Sequence, residues 1–212
     1  MQKTIKTDNM IFVPGSIFFR GCEKGLRHTR PLEQVHVDSF YIDKYPVTNE
    51  QYARIIPDWD YDPAKKNHPV TDVRYDEILV YCQKIGKRLP TEDEWEKAAR
   101  GDTDCRIYPW GNAFDTHKCN CRRLLFLFTN KLAPVDAHPA GISPFGCHDM
   151  AGNVWEWTST PIDDQQYIIK GGACSSPSKR YLQIPGRMGA YINFKCSYNG
   201  FRTCFSAAEQ PE

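Results

Sequence analysis

Helical periodicity in this chain ends at Gly101, close to the middle of its 212 residues. The segment that follows, from Tyr108 to Gly146, shows few regular signals of helix or strand. An irregular stretch of that length inside a compact domain usually carries a function or a bound ion. This feature predicts a domain of low regularity, in which loops organise much of the second half.

The first half of the chain predicts three helices. The segment TNEQYARII, residues 48–56, begins with an N-cap threonine and is expected to form a short helix. In RYDEILVYCQKIG, residues 74–86, apolar side chains recur on one helical face and a glycine ends the pattern. In RLPTEDEWEKAARG, residues 88–101, Thr91 and Glu94 form a capping box. The last two are the main helices.

Short strands are predicted on both sides of these helices. Residues 10–21 indicate two strands around a Pro-Gly turn, and residues 33–47 alternate between apolar and polar side chains. Residues 152–160 and 167–173 indicate two strands that flank a turn, and residues 199–206 a last strand. With the helices, this pattern predicts an α+β fold with short antiparallel strands. Because there is no repeat or linker, a single domain over residues 1–212 is the simplest organisation.

Composition excludes several classes of protein. The formal net charge is +1, so no overall field favours nucleic acid. No run of eighteen apolar residues could span a membrane, and the first residues lack the apolar core of a secretory signal. Nine cysteines without such a signal favour reduced thiols. We therefore expect a cytoplasmic or phage-borne protein with no membrane span and no nucleic-acid partner.

A set of short motifs in a fixed order indicates a family. They read IFVPGSIFFRG, VHVDSFYIDKYPVTNEQY, HPVTDV, GKRLPTEDEWEKAARG, YPWGN, APVDAHPAGISPFGCHDMAGNVWEWTST, KGGA and NGFR. From Met10 to Phe205 the chain thereby resembles the formylglycine-generating enzyme, or sulfatase-modifying factor, family. The resemblance implies that family's variant of the C-type lectin fold.

The segment HDMAGNVWEW, residues 148–157, is the strongest candidate metal site. Asp149 and Glu156 place carboxylates at the two ends of a tight turn that contains Gly152, and hard oxygen ligands suit Ca²⁺. The resemblance implies calcium bound by the side chains of Asp149 and Glu156 and by the carbonyls of Gly152 and Val154. The alternative is a capped turn whose two tryptophans pack in the core.

Other metal sites are weaker in this sequence. The family's second calcium site matches Asn120 and the carbonyl of Cys121, but its supporting acid would fall near Leu127, in a segment without a carboxylate. The HKCNC segment, residues 117–121, has C-x-C spacing and no second pair, so ordinary loop thiols are favoured over zinc. The six histidines lack a metal-binding spacing, which disfavours the histidine-ligated iron of related sulfoxide synthases.

The copper pair of the family is not intact. Formylglycine-generating enzymes bind Cu(I) through two cysteines and oxidise a substrate cysteine with O₂. Counted from the glycine pair at residues 171–172, those positions hold Ser176 and Tyr181. A shifted alignment puts Cys174 in the first position but Lys179 in the second. One thiolate with a hydroxyl, phenol or ammonium is a poor Cu(I) site, so Cys174 is only a fallback catalytic candidate.

The stretch that follows is rich in residue types typical of binding surfaces. The resemblance implies that ligands dock here in members of this fold, and that the same region varies in the variable proteins of diversity-generating retroelements. The predicted ligand-binding residues are Cys174, Ser176, Lys179, Arg180, Tyr181, Arg187, Tyr191, Asn193, Phe194 and Tyr198.

Two charged features have structural interpretations. The acids at the start of the helix in residues 88–101 match the helix dipole and its cap rather than a catalytic pair. Arg202, in NGFR, is expected to pair with a carboxylate.

Two functions stay open on this basis. The first is a non-catalytic, calcium-stabilised domain that binds a protein or small-molecule ligand at its C-terminal surface. The second is a divergent copper or iron oxidoreductase that acts on protein cysteine.

Overall fold

The computed structural model of the protein describes residues 9–23, 29–121 and 131–209. Three α-helices form where the sequence predicts them: α1 (Asn49–Ile55), α2 (Tyr75–Ile85) and α3 (Glu92–Arg100). Threonine side chains cap the first and third helices with complete capping boxes, because a hydroxyl there satisfies a backbone N–H that has no helical partner. Gly86 ends α2 in the left-handed conformation, with φ 73°.

Nine strands form three sheets in the described residues. A three-stranded sheet has the order β1 (Met10–Val13), β4 (Phe40–Asp43) and β9 (Cys204–Ser206). A two-stranded sheet pairs β2 (Ser16–Arg20) with β3 (Glu33–Val37). A four-stranded sheet has the order β7 (Arg187–Tyr191), β6 (Gln166–Lys170), β5 (Trp155–Pro161) and β8 (Asn199–Gly200). Helices and small sheets together confirm the predicted α+β class.

The C-terminal strand departs from the prediction. The sequence predicts one strand in residues 199–206, but β8 and β9 are separate and belong to different sheets. β8 pairs with β5 in parallel, an exception to the expected antiparallel pairing. The break comes at Phe201, Arg202 and Thr203, which are completely buried. The chain crosses the core here because their side chains hold the two sheets together.

Strand β7 was not predicted. Its sequence, RMGAY, contains a central glycine and no β-branched residue, so it gives no local strand signal. It forms because all five residues pair antiparallel with β6. As the last strand of its sheet, β7 leads directly into the segment 192–198.

Helix α3 lies at the centre of the molecule and buries charge as well as apolar surface. Trp95 is completely buried against the sheets. Lys97 is also fully buried, and its ammonium donates to the carbonyls of Pro14, Ser16 and Val37 at 2.6, 3.1 and 3.2 Å. These bonds satisfy all three donors of the ammonium, as a buried charge requires. Through this ammonium the helix is tied to the two-stranded sheet and to the turn before it.

In the described part of the chain, no helix is both long enough and apolar enough to cross a membrane.

Candidate functional site

Cys174 lies in the interior. Its side chain has no exposed surface, and its backbone N–H donates to the carbonyl of Asn153 at 3.0 Å. Burial raises the pKa of its thiol to about 11, so the thiolate is scarce at neutral pH. The expected place of Cys174 in a recognition surface is therefore wrong, because no ligand could touch it. The same burial argues against a reactive nucleophile.

The two positions of the copper pair have structural partners. Ser176 is buried, and its hydroxyl accepts a hydrogen bond from the backbone N–H of Ala173 at 2.9 Å, which closes a tight turn. This burial contradicts the expected role of Ser176 in contacting a ligand. Tyr181 is half-buried and meets the ring of Trp155 edge-on, with 6.1 Å between ring centroids. Neither position holds a thiol.

Arg187 is held by an acid. Its guanidinium donates to both oxygens of Glu92, at 2.8 and 2.9 Å, and Glu92 also lies 3.6 Å from the ammonium of buried Lys170. Although burial alone would raise it, Lys170 and Arg187 together hold the pKa of Glu92 below its usual value. Because this bidentate pair engages the guanidinium, a ligand would have to compete with Glu92, and ligand binding by Arg187 stays a prediction.

The remaining predicted residues are accessible. Tyr191 and Phe194 are 57% and 60% exposed, unusually high for large aromatic side chains, and Asn193 between them is exposed as well. We call Tyr191, Asn193 and Phe194 the C-terminal surface. Lys179 and Arg180 are exposed on the short turn Lys179–Leu182. Ligand binding by these five residues stays a prediction.

Segment 192–198 contributes to two cavities. Its backbone is tied to the loop before α2, because the N–H groups of Asp72 and Tyr75 donate to the carbonyls of Cys196 and Ile192, both at 3.2 Å. A cavity of about 380 Å³ includes Ile192 and Asn193 in its wall. Another of about 650 Å³ includes Tyr198 in its wall, and ligand binding by Tyr198 stays a prediction.

The larger cavity involves residues that the sequence did not single out. Trp59, Tyr61 and Lys65 come from the proline-bearing loop in residues 57–70. Trp59 and Tyr61 are aromatic residues in a polar loop, and they would have indicated a site with Tyr198 only if the two segments had been known to meet. Tyr198 is 137 or more residues from the other two, and no local pattern reports such a contact.

The turn proposed for calcium has an unusual backbone. Asp149 and Asn153 have φ angles of 55° and 63°, in the left-handed region that few residues other than glycine adopt. Gly152 has φ 88°, and a Cβ at this position would lie 2.3 Å from the carbonyl oxygen of Asn120. Only glycine fits there. The turn is therefore in close contact with the preceding irregular segment.

Glu156 is neutralised by protein groups. Arg202 donates to both of its carboxylate oxygens at 2.6 and 2.7 Å, and the indole N–H of Trp95 adds a bond of 2.8 Å. All three side chains are completely buried. The expected pairing of Arg202 with a carboxylate is confirmed. With a guanidinium already bound, Glu156 could serve calcium only by sharing its oxygens.

Asp149 is different, because among the described residues no cationic side chain forms an ion pair with it, although the charge of Arg202 opposes the rise in its pKa. It is 6% exposed, and the amide of Asn153 donates to its Oδ2 at 2.8 Å. Burial raises the pKa of Asp149 to about 7. A buried carboxylate with one amide donor fits a hard cation, and the neighbouring carbonyls of Gly152 and Val154 are of the right chemical type. Among the described residues, no group of three or more His, Cys, Asp or Glu side chains is placed to hold a metal.

The structure adds no support for the second calcium site. The amide of Asn120 donates to the carbonyl of Lys131 and to Oδ1 of Asn153, both at 3.0 Å. Asn120 therefore braces the turn with its N–H₂ group. Leu127, where a supporting acid was sought, lies outside the described residues.

Cys119 and Cys121 are neighbours in the same braced segment. Both are buried in a small apolar cluster with Tyr108, Ala151 and Leu182. A hydrogen bond with Cys121, together with burial, raises the pKa of the Cys119 thiol. No disulfide joins any two of the nine cysteines.

Known proteins match most of this chain. The profile of the Sulfatase-modifying factor enzyme 1-like domain covers residues 1–207. "Inactive C-alpha-formylglycine-generating enzyme 2" of Bos taurus is 27% identical, over 97% of this chain and 90% of that protein. "Formylglycine-generating enzyme" of Mus musculus is 41% identical, over 71% of this chain and 57% of that protein.

Two further matches concern domain context and fold. "Serine/threonine-protein kinase pkn1" of Chlamydia caviae is 34% identical over 89% of this chain, but the chain spans only 37% of that protein's length. The solved structure of Treponema denticola variable protein 1 superposes with a TM-score of 0.79 at 18% identity, covering 95% of each chain. This similarity confirms the predicted fold.

Proposed function

This chain belongs to the sulfatase-modifying factor enzyme 1-like domain family, and from that premise we propose that it is a non-catalytic ligand-binding domain, like a variable protein in its use of the C-terminal region. Its ligand, a protein or a small molecule, docks at the C-terminal surface and the cavities beside it. One observation carries the proposal most directly: Ser176 and Tyr181 occupy the copper positions, and Cys174 is completely buried.

The arrangement of Cys174 argues against turnover. Oxidation of a substrate thiol at copper requires thiolate ligands that O₂ and substrate can reach, whereas burial keeps this thiol protonated and enclosed. The family also includes a relative whose name describes it as inactive. The match covers 97% of this chain and 90% of that protein. Both points favour a domain that keeps the family fold without its oxidative chemistry.

The exposed aromatic residues support recognition. Tyr191 and Phe194 would each leave a large apolar area in water unless a ligand covers it. Tyrosine and phenylalanine bring large contact area at low entropic cost, because they have only two side-chain torsions. The backbone N–H of Phe194 donates to the carbonyl of Tyr191 at 3.1 Å, so the two rings are presented from a closed turn.

The second candidate function is a divergent copper or iron oxidoreductase acting on protein cysteine. The mouse formylglycine-generating enzyme favours it, because its identity with this chain is 41%. Such an enzyme would need a different ligand set from the family's cysteine pair.

A copper competition experiment separates the two functions. Purified protein is mixed with Cu(I) and a chromophoric chelator, and Cys174→Ser is measured beside the wild type. We expect equal copper retention by both proteins and no oxygen-dependent aldehyde on a cysteine-containing peptide. Tight one-to-one binding that Cys174→Ser abolishes, together with aldehyde formation, would establish the enzyme.

The binding function has its own test. Immobilised wild type, Tyr191→Ala/Phe194→Ala and Cys174→Ser are compared for capture of proteins from the source organism. We expect partners that the wild type and Cys174→Ser retain and the double variant loses, because only the double variant removes exposed contact area. Identical captures by all three proteins would contradict recognition through this surface.

We also propose that Ca²⁺ stabilises the turn at Asp149, with the carbonyls of Gly152 and Val154 and a shared contribution from Glu156. The ion would add positive charge beside the Asp149 carboxylate, whose pKa burial raises. Removal of calcium by a chelator should lower the melting temperature, and added Ca²⁺ should restore it by mass action. Asp149→Asn should melt at one temperature with and without chelator. A wild-type melting curve unaffected by demonstrated metal removal would rule out this site.

A further inference from the structure

The cavity of about 650 Å³ beside Tyr198 is built from two distant parts of the chain. Trp59, Tyr61 and Tyr198 contribute aromatic side chains to its wall, and all three are half-buried. Its volume lies within the range of roughly 300–1,000 Å³ typical of small-molecule sites. These three aromatic residues lie outside the motifs that indicate the family.

The wall is rigid before any ligand arrives. The indole N–H of Trp59 donates to Oδ1 of Asn49 at 3.2 Å, and its ring meets Tyr52 edge-on at 5.2 Å. The amide of Asn49 donates in turn to the carbonyl of Lys65 at 3.1 Å. These contacts fix the orientation of the Trp59 ring, so binding costs little side-chain entropy.

The turn that carries Lys65 is also fixed locally. Asp62 caps it by accepting a hydrogen bond from the N–H of Ala64 at 3.0 Å, and Pro63 is its first residue. On the opposite wall, Asp72 accepts from the hydroxyl of Ser197 at 3.2 Å. Two of the acids in the cavity wall are therefore occupied by the protein.

The charges that the described residues bring to the cavity wall are close to balanced. Asp60, Asp62 and Asp72 bring three carboxylates, and Lys65 and Lys131 bring two ammonium groups. Burial, and Lys65 next, lower the pKa of His68, so this ring is neutral at pH 7. A polyanion would meet the three acids and a polycation the two lysines, and like charges at short range disfavour both ligands. A wall of this mixed charge favours an uncharged ligand that can both donate and accept hydrogen bonds over a polyion.

A ring that carries several hydroxyl groups fits both the aromatic and the charged side chains of this wall. The C–H faces of a saccharide ring are apolar and can pack on aromatic faces, while its hydroxyls donate to carboxylates and accept from ammonium groups. The side chains of Asp60 and Lys65 are exposed, and within the described residues neither side chain makes a hydrogen bond or an ion pair, so both can turn to such hydroxyls. We propose that this cavity binds a saccharide unit, an inference that rests on the proposed ligand-binding function and names its ligand class.

A panel of probes tests the ligand class. Methyl glycosides of glucose, galactose, mannose and N-acetylglucosamine are compared with spermidine and inorganic phosphate by ligand-observed NMR at roughly 50 mM, which detects binding weaker than the ~1 mM scale. We expect at least one glycoside to bind in preference to both charged probes. No glycoside binding, or stronger binding of spermidine or phosphate, would overturn the proposal.

Variants then place the site. Trp59→Ala should weaken glycoside binding about tenfold or more, the scale of a lost aromatic contact. Trp110→Ala is the matched control, because Trp110 is also half-buried but stacks on Tyr108 in another loop. Asp60→Asn/Lys65→Ala changes only exposed side chains and should weaken binding without a change in melting temperature. Unchanged affinity in both the Trp59 and the Asp60/Lys65 variants would overturn the assignment.

The two proposals fail in different ways. Loss of saccharide binding alone leaves the protein capture that depends on Tyr191 and Phe194 untouched. Copper-dependent aldehyde formation on a cysteine peptide would reject the non-catalytic function whatever the glycosides do.

Discussion

At the scale of single residues, buried charges are the most consequential feature of this protein. Glu156, Arg202 and Lys170 are completely enclosed, and each has a partner of opposite charge. Burying an ion pair gains little over an apolar pair, but removing one partner leaves an uncompensated charge in the interior. Such residues tolerate substitution far less than the exposed ion pairs of the same chain.

Replacement of Arg202 tests this difference. Arg202→Met keeps the length of the side chain but leaves the Glu156 carboxylate buried without its guanidinium. We expect the free energy of unfolding in urea to fall by about 3–5 kcal/mol. The control is Arg54→Met, which breaks an exposed pair with Glu50 and should cost about 0.5 kcal/mol or less. Equal losses in the two variants would contradict the central role of the buried pair.

Asp149 predicts a dependence of stability on pH. Burial raises its pKa to about 7, against about 3.9 in an unfolded chain. Between these values the folded protein holds a proton that the unfolded chain has released, so stability should fall as pH rises from about 4 to about 7. In calcium-free protein, Asp149→Asn should remove this decline, measured as the difference from wild type in urea unfolding at several pH values. Parallel profiles for the two proteins would mean that Asp149 titrates normally.

At the scale of elements, α3 combines local and tertiary stabilisation. Its N-terminus is capped by Thr91, whose hydroxyl accepts from the N–H of Glu94 at 3.1 Å, while Glu94 accepts from the N–H of Thr91 at 2.8 Å. The Glu94 carboxylate also binds Arg88 at 2.6 and 2.7 Å. The cap thus ties the helix to the segment before it.

Removal of the cap hydroxyl should weaken the whole domain, since α3 contacts two sheets. Thr91→Ala is expected to lower the free energy of unfolding by about 1 kcal/mol. Thr103→Ala, an exposed threonine just after the helix, is the control and should be nearly neutral. A neutral Thr91→Ala in the same urea titration would show that tertiary packing alone holds the start of α3.

At the scale of the whole molecule, stability comes from three apolar clusters and not from covalent links. One packs α1 and α2 on the four-stranded sheet, one packs α3 on β1 to β4, and a smaller one surrounds Tyr108. A chain of this length can bury enough apolar surface to fold without disulfides. The nine cysteines are distributed among these clusters and the surface.

Thiol chemistry should reflect this distribution. Denatured, unreduced protein is expected to react with a thiol reagent at most of its nine cysteines, because the thiols are predicted to be reduced. In the folded protein at pH 8, exposed Cys105 should be alkylated quickly and Cys174 hardly at all, since a pKa of about 11 leaves only about 0.1% thiolate. Mass spectrometry of digested protein measures both. Four disulfides, or labelling of Cys174 as fast as Cys105, would reverse these expectations.

The sequence by itself determined the features that depend on neighbours along the chain. The capping boxes at Thr48 and Thr91, the glycine after α2 and the strands around residues 10–21 are all visible locally, because caps, turns and periodicity act over a few residues. The ordered motifs added the family and its fold. The exposed Tyr191 and Phe194 were also among the predicted binding residues.

Only the tertiary structure decided which of those candidates face solvent. Cys174 and Ser176 are buried, and Arg187 is held by Glu92, which lies 95 residues earlier in the chain. The cavity between Trp59 and Tyr198 likewise exists only because two distant loops meet. Burial and partnership are properties of long-range packing, and a residue's type fixes its chemistry but not the neighbours that engage or enclose it.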